Sequence, residues 1–140
     1  MKSWLKMATM LLTTMALSWN AQADAFYDEL GGEAGVAQIV DDFNNEISYD
    51  REIFPFFKDT NIARLRSKLI EQFCEVSGGP CTYTGDSMAE VHTGMNITSG
   101  QFNRVVELLQ NALEKNDIPL ASRNRLIAAL APVRADTIHR

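Results

Sequence analysis

The spacing of apolar residues constrains this chain more than any other feature. Val36, Ile39, Val40, Phe43 and Ile47 fall at i, i+3, i+4, i+7 and i+11, one stripe of an amphipathic helix that no single face of a strand reproduces. Ile62, Leu65, Leu69, Phe73 and Val76 repeat the pattern, with Arg64, Arg66, Lys68 and Glu71 between them. Phe102, Val105, Val106, Leu109, Ala112 and Leu113 make a third stripe. Leu126, Ile127, Leu130, Ala131 and Val133 make a fourth, which Pro132 is expected to bend. No stretch alternates with period two and no segment repeats. The spacing therefore predicts an all-α domain of four principal helices joined by short pieces.

Punctuating residues set the boundaries. A brief helix from Ala25 to Leu30 is expected to end at Gly31-Gly32, and the first long helix near Tyr49-Asp50. Thr60 and Asn61 are candidate caps for the second, and Gly78-Gly79-Pro80 ends it. Ser87 with Glu90, and Thr98 with Gln101, are capping boxes. A one-turn helix carrying Val91 and His92 is thus expected between Ser87 and Gly94, and a longer one opens at Thr98. Asn116-Asp117 breaks that helix, and Pro119 stands at a favoured first helical position. Phe54-Pro55-Phe56-Phe57 places three rings in four residues, and Pro55 forbids a continuous helix through them. Such a cluster reads either as a corner of the core or as the wall of a cofactor site.

At 140 residues, 46% apolar and 22% charged, the chain fits one globular domain. Lys2 and Lys6 precede an apolar run from about Met7 to Trp19, and Ala21-Gln22-Ala23 matches an A-x-A cleavage pattern. Residues 1–23 are therefore expected to be a secretory signal peptide and residues 24–140 the mature domain, exported to the periplasm. The run is shorter than the roughly 20 residues that span a bilayer, so no membrane attachment is expected after cleavage. Removing residues 1–23 takes away two lysines and no acid, lowering the formal net charge from −5 to −7. Such acidity argues against nucleic acid as a partner. Export permits a disulfide between Cys74 and Cys81, worth roughly 2 to 3 kcal/mol for so short a loop. Two reduced thiols are the alternative, and the spacing matches no common zinc site.

For catalysis by side chains alone the chain offers little. It holds no nucleophile elbow, H-E-x-x-H motif, phosphate loop or C-x-x-C pair. His92 and His139 are the only imidazoles, and His139 is one residue from the C-terminus. A single imidazole on a one-turn helix, an aromatic corner and an apolar helix interleaved with cations together suit a flat apolar cofactor with one axial nitrogen ligand and carboxylate tails, which is haem. Phe57, Leu65, Leu69, Phe73 and Val91 are candidates for the walls of its slot, and Arg64, Arg66 or Lys68 for the partners of its propionates. The bland alternatives are a structural histidine and a solvated basic face.

Asp28-Glu29-Leu30-Gly31-Gly32, Val40-Asp41-Asp42-Phe43, Phe56-Phe57-Lys58-Asp59-Thr60-Asn61, Gly78-Gly79-Pro80, Tyr83-Thr84-Gly85 and Val91-His92-x-Gly-x-x-Ile97-Thr98, in this order and spacing, resemble the truncated haemoglobins of group I. The resemblance runs roughly from Phe26 to Val133. It implies a two-over-two helical sandwich around haem b, with His92 as the proximal iron ligand, Phe57 packed on the haem face and Lys68 near a propionate. Leu65, Leu69, Phe73, Met88 and Val91 are expected to complete the haem site. Asn44, Leu65 and Leu69 correspond to distal positions, where this group usually carries a tyrosine in place of Asn44 and often a glutamine in place of one leucine. The reduced distal set implies weaker retention of dioxygen. The implied functions are binding or transport of dioxygen and detoxification of nitric oxide, the latter requiring a separate reductase. A six-coordinate electron-transfer or peroxidase-like haem protein is the alternative. The resemblance places Cys74 and Cys81 at the corner between distal and proximal segments.

Overall fold

The apolar stripes become helices close to where their spacing puts them. The computed structural model describes residues 25–140, so the expected signal peptide at residues 1–23 lies outside the described residues. A helical segment over 25–29 leads into α1 (Gly32–Tyr49), a 3-10 turn (Phe54–Phe56), α2 (Ile62–Val76), the short α3 (Met88–His92), α4 (Ser99–Lys115), α5 (Leu120–Leu130) and the short α6 (Val133–Thr137). Among the described residues the only β-pairing is an isolated bridge between Ile97 and Ile138.

Helix α1 is the hub. Its stripe residues Val36, Ile39, Val40, Phe43 and Ile47 are all buried, together with Phe73 of α2 and Leu108, Leu109, Ala112 and Leu113 of α4. It packs on both α2 and α4, while α5 packs on the same two helices and buries Leu126. The pairs α1/α2 and α4/α5 form the two-over-two sandwich. Two carboxylates fasten α1 to α4 from the edge of this core. Asp42 accepts from Lys115, Gln38 and Asn116, and Asp50 accepts from Arg104 at 2.8 Å. Hydrogen bonding to Lys115 and to Arg104 respectively holds both carboxyls below their usual pKa.

The caps form as their motifs direct. Asn61 Oδ1 accepts from Arg64 N–H at 3.0 Å, and both capping boxes are complete. Gly78 ends α2 with φ of +82°, and Cys74 and Cys81 are joined as a disulfide with Cα atoms 5.8 Å apart. A Cβ on Gly79 would lie 2.6 Å from Cys74 Sγ and 2.7 Å from the Tyr27 ring, so this tight corner admits only glycine there. Two helix ends depart from expectation. Pro119 is the N-cap of α5 rather than its first residue. Pro132 does not bend the last helix but divides it, ending α5 and starting α6, because a proline ring cannot follow an intact helical turn.

That division has a use. α6 packs against α3, and the chain end is pinned beside it. His139 N–H donates to Ile97 C=O at 3.0 Å and Asn96 N–H to Arg140 C=O at 2.9 Å. A five-residue helix is too short to be stable alone. α3 is held by its cap, its lead-in loop and the C-terminus.

Candidate functional site

His92 ends α3, and its ring is fixed by one contact. Nδ1 lies 2.7 Å from the Met88 carbonyl one turn back. A carbonyl oxygen only accepts, so Nδ1 carries a proton, and in the neutral ring Nε2 keeps its lone pair. This is the tautomer a metal ligand needs, and the contact is the kind that orients ligating imidazoles.

His92 lies on the wall of a cavity of about 460 Å³, within the range of small-molecule and cofactor sites. The cavity is lined by Phe57, Leu65, Lys68, Leu69, Phe73, Met88, Val91 and His92, the residues that the resemblance assigns to a haem site. Val91 is 48% exposed and marks the mouth. The aromatic corner is the edge of the core, with Phe57 packed against the buried cluster, and it also walls the cavity. Phe54 is exposed and Phe56 and Phe57 are half-buried, with Phe56 and Phe57 turned to the cavity.

The three candidate cations separate. Arg64 and Lys68 line the cavity, whereas Arg66 does not and instead grips Asp41 of α1 with two hydrogen bonds. The expectation that Arg66 meets a ligand is therefore corrected: one residue from Leu65 on a helix turns the side chain about 100° away from the stripe. Lys68 Nζ bonds both Glu71 oxygens at 2.8 and 2.9 Å and Thr84 Oγ1 at 2.6 Å, and Arg64 reaches Asp86 at 3.1 Å. Hydrogen bonding to Lys68 lowers the Glu71 pKa to about 2.

Asn44 stands elsewhere. It faces a side cavity of about 170 Å³ whose other walls include Ile47, Phe57 and Leu65. Those three residues also line the main cavity, so they separate the two spaces. Asn44 Oδ1 is buried with no hydrogen-bond partner in the protein. Leu65 and Leu69 remain on the main wall, beside Phe43 and Phe73.

Several lining residues gave no local signal. Asp86, Arg134 and Thr137 reach the cavity only because a loop and the chain end fold over it. Gln72, whose Nε2 donates to Met88 Sδ at 3.8 Å, was accessible to pattern reading, since it follows Leu69 by three on the same face.

One imidazole with a free Nε2, an apolar cavity and cations at its rim together suit haem. The chain matches the Bacterial-like globin family over residues 25–139. It belongs to that family, as a group I truncated haemoglobin. It is 34% identical over 113 residues to a group 1 truncated hemoglobin, GlbN, of Mycolicibacterium paratuberculosis, covering 81% of this chain and 83% of the relative. The crystal structure of truncated hemoglobin from Tetrahymena pyriformis in its Fe(III) form superposes with a TM-score of 0.79 at 27% identity, covering 82% of this chain and 98% of that one. The 2/2 hemoglobin of Synechococcus, at 22% identity and a TM-score of 0.76, shares the fold. As a truncated haemoglobin the chain takes haem b as cofactor and binds diatomic gas at it. Haem would supply the iron to which the gas binds.

Proposed function

We propose that this truncated haemoglobin holds haem through His92, binds dioxygen and nitric oxide on the side walled by Leu65 and Leu69, and releases dioxygen readily. The observation that carries the reading is the His92 Nδ1–H bond to the Met88 carbonyl, which turns Nε2, the ligating nitrogen of the neutral ring, from the cavity wall. Phe57, Phe73, Met88 and Val91 exclude water from the ring, and Lys68 and Arg64 meet its carboxylate edge. Leu65 and Leu69 have no donor to offer a bound gas, and Asn44 faces the side cavity. A polar ligand such as dioxygen then gains no hydrogen bond from these three side chains, whereas nitric oxide depends less on one. This favours rapid exchange of gas over storage of dioxygen; oxidation of nitric oxide to nitrate, which consumes bound dioxygen, would also need a separate reductase.

Absorption spectra of the ferric, ferrous and gas-bound protein beside His92→Ala test the reading. The wild type is expected to be five-coordinate when reduced, and the variant to lose axial ligation and regain it with added imidazole. A low-spin reduced spectrum would favour the six-coordinate electron-transfer alternative. Export belongs to the same proposal, supported by Lys2, Lys6, the apolar run and Ala21-Gln22-Ala23, and by the disulfide. N-terminal sequencing of protein from the periplasmic fraction should begin at Asp24.

A further inference from the structure

Residues 81–86 have no helix or strand and run along one face of α2. Their anchors recur at helical intervals. Cys81 is bonded to Cys74, Tyr83 N–H donates to Glu75 at 3.2 Å, and Thr84 donates to Glu71 through N–H at 2.9 Å and Oγ1 at 2.8 Å. Lys68 reaches Thr84, and Arg64 reaches Asp86. Positions 64, 68, 71 and 75 are three or four apart and share one side of α2. The segment is a strap laid along that side. Tyr83 and Asp86 form part of the cavity wall, and the next residue, Ser87, caps the helix that carries His92. One strap therefore joins α2, the cavity rim and the imidazole.

Its anchors are unequal. All but one are polar contacts at the surface, which gain little over water. The disulfide is the covalent one. Cys74 is buried at 1% exposure while Cys81 is half-buried, so Cys81 is the half open to attack. We propose that the Cys74–Cys81 bond is a thiol-exchange site for a dithiol reductant, and that its state sets how tightly the chain retains haem. A thiolate of the dithiol attacks Cys81 Sγ, the S–S bond breaks, and Cys74 leaves as a thiolate that takes up a proton. The second thiol of the reductant then attacks its own sulfur in the mixed disulfide and expels the Cys81 thiolate, which is protonated in turn. The protein gains two electrons and the dithiol becomes a cyclic disulfide. The freed strap keeps only surface contacts, so its hold on the rim and on the start of α3 loosens.

The proposal rests on the haem reading of the cavity. The test is the rate of haem transfer from the ferric holoprotein to excess apomyoglobin, measured for the oxidised chain, for the chain reduced with dithiothreitol and desalted without air, for the same sample reoxidised, and for Cys81→Ser. Mass shift with maleimide reports the thiol state, and circular dichroism reports the fold. Haem loss is expected to be at least about fivefold faster in the reduced chain and in Cys81→Ser, returning to the starting rate on reoxidation of the wild type alone. Equal rates in the oxidised and reduced wild type overturn the proposal, whether or not Cys81→Ser folds. An oxidised chain that takes up no haem overturns the reading of the cavity beneath it.

Discussion

The hydrogen bond from His92 Nδ1–H to the Met88 carbonyl fixes both the tautomer and the direction of the ring, which a histidine on an open helix face would leave free. Across the cavity the decisive residues are apolar. Leu69 lines the main space and Asn44 the side one. A donor introduced at the leucine should matter more than the amide already present. Leu69→Gln is expected to slow dioxygen dissociation about tenfold, the effect of one hydrogen bond of roughly 1.4 kcal/mol. Asn44→Ala should leave the rate nearly unchanged. Stopped-flow dissociation from the ferrous protein reads both, and slow release by the wild type would sink the argument. That a cavity ligand was in view could be read from His92 and its caps. The turn of Asn44 away from the main cavity could not, because it depends on how Ile47, Phe57 and Leu65 partition the space.

Among the elements, α1 and α2 both carry shifted carboxylates, and the largest shift lies where the strap meets α2. The Glu71 carboxylate is held by Lys68 and Thr84, with its pKa lowered from 4.5 to about 2. The folded state therefore prefers the ionised form. The stabilisation is complete above pH 4.5 and is lost as the pH falls through about 2. Acid unfolding followed by circular dichroism should show a slope in this window that Glu71→Gln flattens, and parallel curves for the two chains would refute it. The capping boxes at Ser87 and Thr98 were legible because they are local: each is a hydroxyl and an acid or amide three residues apart. The partners of Lys68 and Arg64 were not, since Glu71 is a helical neighbour but Thr84 and Asp86 arrive from a loop 16 and 22 residues away.

For the molecule as a whole, α1 between α2 and α4 is the core on which both sides of the site depend. Leu126, fully buried where α5 meets it, should cost about 2 to 5 kcal/mol when changed to alanine, read by urea unfolding. A loss within error of zero would mean that α5 is not part of the cooperative unit. The sequence by itself determined the class of the fold, the helices and most of their ends, the imidazole, the apolar faces that meet in the cavity and the family. These are encoded in periods of three and four residues and in short motifs, where neighbours in the chain are neighbours in space. Only the tertiary structure decided that the aromatic corner opens to a cavity and that Arg66 grips Asp41. It alone sent Asn44 to a side space and brought the chain end to α3. Each of these depends on contacts between segments far apart in sequence, and no local spacing records which of several compatible partners a side chain will meet.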